Sequence, residues 1–194
     1  MAIVTRSTRS MTEVGSVLFL VAGAEVEDLS RKRFSQAGVD VVIAAPERLA
    51  QLSDEEIAGY AGVFVPDDPA ALESLTGNAD AGRVLRILHE KNAPIASVGH
   101  GPAVLLAAPP NSEGQWLFDG YRLTSSAGDE MPWRLDIALK AAGAVFEHTR
   151  EVVVDRNLVT ARDTDAAAGA ALELMAAKDT DEATNRVDSG EAEL

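Results

Sequence analysis

Residues 95–105 read IASVGHGPAVL, and this stretch decides the fold. An apolar strand pattern over 95–98 runs through Gly-His-Gly-Pro directly into a helical pattern. A strand that turns sharply into a helix is the geometry of a nucleophile elbow, in which the turn residue projects its side chain over the helix N-terminus. The positive end of the helix dipole lowers the pKa of a thiol at that place. Here the turn residue is Gly99 and the chain contains no cysteine, so the elbow lacks its nucleophile.

Short β-branched runs alternate with helical patterns on both sides of this stretch. Such alternation predicts an α/β fold, a doubly wound parallel sheet sandwiched by helices, here with a small β-hairpin. The predicted strands are residues 16–21, 39–44, 62–65, 95–98 and 158–161, with the hairpin at 151–154. The predicted helices are residues 26–37, 53–59, 79–91, 102–108, 131–142 and 165–177. Ligands of such folds bind beyond the carboxyl ends of the strands, which is where Gly99 and His100 would lie.

Length and composition indicate one domain with two tails. A chain of 194 residues, of which 46% are hydrophobic, can build one core. We predict a flexible N-terminal arm at residues 1–13, the domain at 14–177 and an acidic disordered tail at 178–194. Because no apolar run could span a bilayer and the first residues lack a signal-peptide pattern, we expect a cytoplasmic location and no membrane contact.

The chain is strongly acidic, with 31 acidic against 17 basic residues, a net charge of −14 and a pI near 4.5. This charge disfavours binding to nucleic acid or to an anionic membrane surface. It indicates either an ordinary solvated surface or adaptation to a salt-rich host, and the sequence leaves both open.

The elbow stretch resembles that of the ThiJ/PfpI family (parkinsonism-associated deglycase-like), within the class I glutamine amidotransferase-like superfamily. That family's elbow typically reads Ala-(Val/Ile)-Cys-His-Gly-Pro, and residues 97–106 match it at nearly every place except the cysteine. The resemblance extends over roughly residues 15–177. It implies a flavodoxin-like fold, a homodimer, and glyoxalase, deglycase, protease-like or hydratase activities, nearly all of which depend on the elbow cysteine. Further matching stretches are residues 17–21, 37–44, 60–66 and 152–162.

Gly99 stands at the nucleophile position and has two interpretations. It either only permits the tight turn, because glycine accepts a positive φ without strain, or it opens space for a ligand or water where sulfur would lie. His100 matches the family's histidine beside the nucleophile, and the resemblance offers Asp129 or Glu130 as its acid partner. Without a nucleophile at the elbow, His100 has nothing to deprotonate. Gly101 completes the predicted turn of the ligand-binding site.

The general-acid position of the family falls near Glu25 and Glu27. We favour Glu25 as the residue that faces the pocket, with Glu27 as the alternate. Both could instead be solvated acids near a helix N-terminus, where carboxylates are stabilising in any case.

The loop after the third strand departs from the family's Pro-Gly-Gly, since Asp67 and Asp68 replace the two glycines. Carboxylates at this place disfavour a developing oxyanion, and Pro69 removes a backbone donor. We include Asp67 and Asp68 among the ligand-binding residues, together with Asp129 and with Trp133, which resembles part of the family's pocket-covering insert.

The histidines indicate no metal site. His89, His100 and His148 are scattered without ligand spacing, and we interpret His89 and His148 as surface residues. We therefore expect neither a metal nor another cofactor.

Three functional hypotheses follow. The leading one is a catalytically degenerate member that binds a small molecule or a protein partner in the retained pocket, or that serves a stress-related role without thiol chemistry. The second is a cysteine-independent enzyme, a lyase or hydrolase acting on a small carbonyl compound, that uses Glu25 or Glu27 with His100 as acid and base groups. The third is a purely structural dimeric interaction domain.

Overall fold

The computed structural model describes residues 15–22, 29–68, 73–126 and 134–190, with side chains described as far as residue 178. The strands are β1 Val17–Leu20, β2 Val41–Ala44, β3 Gly62–Val65, β4 Ile95–Val98, β5 Arg122–Leu123, β6 Val145–Phe146, β7 Val152–Asp155 and β8 Leu158–Ala161. The helices are α1 Leu29–Gln36, α2 Pro46–Leu49, α3 Asp54–Gly59, α4 Ala79–Glu90, α5 Leu135–Ala142 and α6 Thr164–Gly190, and a 3₁₀ helix spans Gly101–Ala107.

The main sheet has six strands in the order β2-β1-β3-β4-β8-β7. All neighbouring pairs are parallel except β7 and β8, which form an antiparallel hairpin at one edge. The order over the parallel strands is that of a flavodoxin-like sheet. The predicted doubly wound sheet with a small hairpin is therefore confirmed. A separate parallel pair joins β5 to β6.

Both faces of the main sheet are covered, which gives two apolar clusters. Helices α1 and α6 cover one face, where the rings of Phe19 and Phe64 stack at 4.8 Å and Phe34 meets both edge-on. The other face packs against α2, α3, α4, α5 and the 3₁₀ helix. Asn78 caps the N-terminus of α4, since its Oδ1 accepts from the backbone N–H groups of Asp80 and Ala81 at 2.9 Å.

Four local features differ from the sequence-based expectation. The helix predicted at 102–108 is a 3₁₀ helix, with i to i+3 hydrogen bonds such as Ala103 N–H to the His100 carbonyl at 3.0 Å. Within the segment predicted as a disordered tail (178–194), helix α6 continues as far as Gly190, because a helix that is already nucleated adds further residues at little cost. The short α2 and the β5–β6 pair were not expected at all.

Helix α4 and the 3₁₀ helix approach each other through their backbones. A Cβ atom placed on Gly82 would lie 2.1 Å from the carbonyl oxygen of Ala107. Glycine is therefore required where these two elements cross. Among the described residues, no helix is both long enough and apolar enough to cross a membrane.

Candidate functional site

The turn after β4 is held by backbone hydrogen bonds on two sides. Gly99 has φ +61°, in the left-handed region, and its N–H donates to the carbonyl of Ala161 at 2.9 Å. Its own carbonyl accepts from the N–H of Ser126 at 2.9 Å. The chain then enters the 3₁₀ helix at Gly101. The sharp strand-to-helix turn expected from the sequence is thus present, at the carboxyl end of a central strand.

The place of a nucleophilic side chain is occupied by the carboxylate of Asp67. A Cβ atom built on Gly99 would lie 2.1 Å from both Cγ and Oδ2 of Asp67, and 2.6 Å from Oδ1. Real Cβ atoms do not approach other heavy atoms this closely. The interpretation that Gly99 leaves open space for a ligand or water is therefore wrong, since the carboxylate fills that space.

His100 holds this carboxylate with two hydrogen bonds. Its backbone N–H and its ring Nδ1 each lie 3.0 Å from Oδ1 of Asp67. A carboxylate only accepts, so Nδ1 carries a proton, and in the neutral ring the lone pair then lies on Nε2. His100 is 9% exposed, and its Nε2 has no hydrogen-bond partner among the described residues. The pair therefore presents an imidazole that Asp67 orients and whose Nε2 can accept a hydrogen bond.

The loop after β3 places Asp67 over the elbow. β3 ends at Val65, Pro66 is buried, and the N–H of Asp68 donates to the Pro66 carbonyl at 3.0 Å, which closes a tight turn. The Asp67 side chain is 37% exposed, so one face of the carboxylate meets His100 and another meets solvent. A negative charge at this position repels an oxyanion forming at the elbow, as the sequence suggests.

The structure brings Gly99, His100 and Asp67 together, with Asp68 half-buried beside them. Gly101 is buried, and a Cβ there would lie 2.7 Å from the Val65 carbonyl oxygen, so it contributes a close backbone contact. The remaining predicted site residues lie outside the described part of the chain: Glu25, Glu27, Asp129, Glu130 and Trp133. The carboxylate seen to pair with His100 is that of Asp67, a role the sequence analysis did not give it.

Two polar side chains near the sheet differ from the sequence-based expectation or are absent from it. His89, expected at the surface, is part-buried, and its Nε2 lies 2.8 Å from the hydroxyl of Tyr121. Ser97, in β4 just before the elbow, is buried, and its Oγ lacks a hydrogen-bond partner in the described residues. In the ranges that the structure describes, no group of three or more His, Asp and Glu side chains could hold a metal ion.

A mostly parallel α/β sheet whose central strand turns through a left-handed residue into a helix defines the nucleophile-elbow class of α/β proteins. Within that class the chain belongs to the DJ-1/PfpI family, whose family model matches residues 15–177.

Individual relatives are more distant. A zebrafish (Danio rerio) glutamine amidotransferase-like class 1 domain-containing protein 1 is 28% identical over 127 residues, 59% of each chain. The protein/nucleic acid deglycase HchA of Pseudomonas aeruginosa is 33% identical over 85 residues, 42% of this chain and 29% of its own. The chain thus matches three-fifths or less of the length of these curated relatives. The structure of glyoxalase III from Candida albicans superposes with a TM-score of 0.69 at 14% identity, over 85% of this chain and 98% of the other, which shows a shared fold.

Proposed function

We propose that this chain is a DJ-1/PfpI family member that performs no thiol chemistry and uses its elbow to bind a small polar molecule. One observation carries the proposal: the Asp67 carboxylate occupies the place of the nucleophilic side chain and is hydrogen-bonded there to His100. Introducing a cysteine alone would therefore not restore a nucleophile site, because a side chain of the neighbouring loop fills the position.

The charge of the site indicates the class of ligand. Two like charges about 4 Å apart repel by about 4 kcal/mol at the effective dielectric of a protein surface. An anion or a developing oxyanion at the elbow would face this repulsion from Asp67. A ligand with an ammonium group, or with N–H or O–H donors, would instead find a carboxylate and the lone pair of His100 Nε2 as acceptors. We therefore propose a cationic or donor-rich ligand.

Two of the similar proteins are named as a glyoxalase and a deglycase, and for this chain those activities are hypotheses. Family membership supports a ligand site at the carboxyl ends of the strands. The glycine at the nucleophile position argues against the cysteine-dependent reactions that the resemblance implies.

A second candidate is a cysteine-independent enzyme in which His100 is the general base. The unpartnered Nε2 of His100 favours it, because Asp67 orients the ring and stabilises the imidazolium that would form after proton abstraction. Glu25 or Glu27 would then supply the acid, as the sequence analysis suggests. Such an enzyme would act on a small carbonyl compound.

The first test is methylglyoxal consumption by the parent protein and three variants: His100→Gln, Gly99→Cys, and Gly99→Cys combined with Asp67→Ala. We expect an inert parent, an inert Gly99→Cys variant, and activity only when the carboxylate is removed as the thiol is introduced. Turnover by the parent that His100→Gln abolishes would establish the second candidate instead. Turnover that survives His100→Gln would refute both.

A binding test addresses the ligand class. Ethanolamine and acetate serve as small probes of opposite charge. Their binding is measured by the changes in the amide NMR shifts of Gly99 and His100. We expect ethanolamine to move these signals and acetate not to do so. Asp67→Asn is the matched control, because it keeps the shape and removes the charge, and it should weaken ethanolamine binding at least tenfold. Equal responses to both probes would contradict the proposal.

A further inference from the structure

We propose that a second cavity, at the opposite end of the sheet from the elbow, binds a small anion bearing a phosphate or carboxylate group. Its volume is about 380 Å³. Asn157, which lines it, immediately precedes β8, and its carbonyl accepts from the N–H of Ile95 at the start of β4. The elbow follows the other end of β4, four residues and about 13 Å away. The two sites are therefore separate and can be tested independently.

The charge of the cavity is opposite to that of the protein as a whole. Arg156, from the β7–β8 hairpin, and Lys178, from α6, both line it, and no acidic side chain does so among the described residues. In a chain with 31 acidic and 17 basic residues this combination is unusual. Asp155 lies 3.4 Å from Arg156 and offsets part of its charge from the side. Lys178 Nζ donates to the Lys91 carbonyl at 3.5 Å, which leaves its positive charge at the cavity wall beside that of Arg156.

Arg156 is held in a backbone conformation that favours glycine. Its φ is +55°, and arginine rarely adopts such an angle unless its surroundings require it. The guanidinium lies 3.7 Å from the centre of the Tyr121 ring, and Nη2 donates to the Gly120 carbonyl at 3.3 Å. These contacts fix the position of the cationic group at the cavity. Stacking on an aromatic ring leaves the edge of a guanidinium, which carries its N–H groups, as the part that binds oxyanions.

A network of uncharged polar groups forms another wall. His89 contacts the Tyr121 hydroxyl at 2.8 Å, this hydroxyl donates to Oδ1 of Asn157 at 3.4 Å, and Asn157 Nδ2 donates to the Ala93 carbonyl at 2.8 Å. Burial lowers the pKa of His89, the charge of Arg156 lowers it further, and Glu90 opposes both. These groups are fixed before any ligand arrives, so the cost of ordering them on binding is small.

The proposal is tested by titrating inorganic phosphate and, separately, citrate into the full-length protein and following its amide NMR signals. We expect the signals of Asn92 and Arg156 to move with at least one of the two anions. A response of these signals to phosphate alone, or to citrate alone, would identify which of the two oxyanions the cavity binds. No movement of these signals with either anion would overturn the proposal.

Arg156→Gly is the decisive variant, because glycine accepts φ +55° without strain and the hairpin should form as before. It should weaken anion binding at least tenfold, and Lys178→Gln should weaken it at least threefold. Arg33→Gln removes the same charge from α1, where Arg33 pairs with Asp165. Asp165 precedes Lys178 by thirteen residues, about 20 Å along α6, so affinity in this control should change less than twofold. Equal affinity in the parent and in Arg156→Gly would overturn the proposal.

Discussion

Replacing Gly99 with alanine should reveal how firmly Asp67 occupies the elbow. The new Cβ would lie 2.1 Å from the Asp67 carboxylate, so Asp67 must move and give up both hydrogen bonds to His100. Hydrogen bonds to a charged group contribute about 1.5 kcal/mol each or more, which makes this loss about 3 kcal/mol. The left-handed φ of +61° adds about 1–2 kcal/mol of backbone strain. We expect the free energy of unfolding to fall by about 4–5 kcal/mol.

Gly38→Ala separates the strain from the collision. Gly38 also has a left-handed φ, +78°, but a Cβ there would have no heavy atom within 4 Å. This control should cost only the strain of about 1–2 kcal/mol. The difference between the two variants, measured by urea unfolding, is therefore the cost of displacing Asp67.

Asp67→Ala completes a double-mutant cycle with Gly99→Ala. Asp67→Ala alone should cost about 3 kcal/mol, because it removes the same two hydrogen bonds. Once the carboxylate is absent, Gly99→Ala should cost no more than Gly38→Ala does. The two effects should thus fall short of additivity by about 3 kcal/mol. Additive effects, or equal costs for the two glycine variants, would refute the conclusion that the carboxylate fills the nucleophile position.

Two further predictions concern the rest of the fold. Burial lowers the pKa of His89 below its usual 6.5, so the unfolded chain takes up its proton first and stability should fall as the pH drops through 6.5 toward the lower folded value. Urea midpoints between pH 7.5 and 5.5 should show this slope in the parent and a weaker one in His89→Gln; an identical slope would mean that another group titrates. Asn78→Ala removes the acceptor for two N–H groups at the start of α4 and should lower the unfolding free energy by about 1 kcal/mol. Asn111→Ala is the control, because Asn111 Oδ1 also accepts from two backbone N–H groups, those of Glu113 and Gln115, but in a turn rather than at a helix start. Thermal denaturation should show a smaller loss for this control, and an equal loss would mean that the effect does not belong to the helix cap.

The sequence predicts the centre of the sheet well. The predicted strands 62–65, 95–98 and 158–161 coincide with β3, β4 and β8, because each is a short apolar run bounded by residues that favour turns. The amphipathic stripe of α4 is equally clear, with Val84, Leu85, Ile87 and Leu88 all buried. The β5–β6 pair has strands of only two residues, too short for any periodicity to appear.

The candidate site could be predicted only in part. The loss of the nucleophile at Gly99 and the presence of aspartates in the loop after β3 are both visible in the sequence. What the sequence does not show is that these two departures meet in space, since 32 positions along the chain separate Gly99 from Asp67. Their contact depends on the pairing of β3 with β4, which places the ends of both strands side by side.

The close crossing at Gly82 fixes the position of the 3₁₀ helix on one side of the elbow. With the backbone of α4 against the Ala107 carbonyl, the 3₁₀ helix has no room to shift toward α4 at this crossing. The wall formed by Asp67 is different, because it stands at the end of a strand and is part-exposed to solvent. If a molecule binds at the elbow as proposed, the aspartate loop after β3 is therefore the part that can move to accommodate it. The selectivity of the site would then depend on a few residues after β3, while the elbow and the 3₁₀ helix keep their positions.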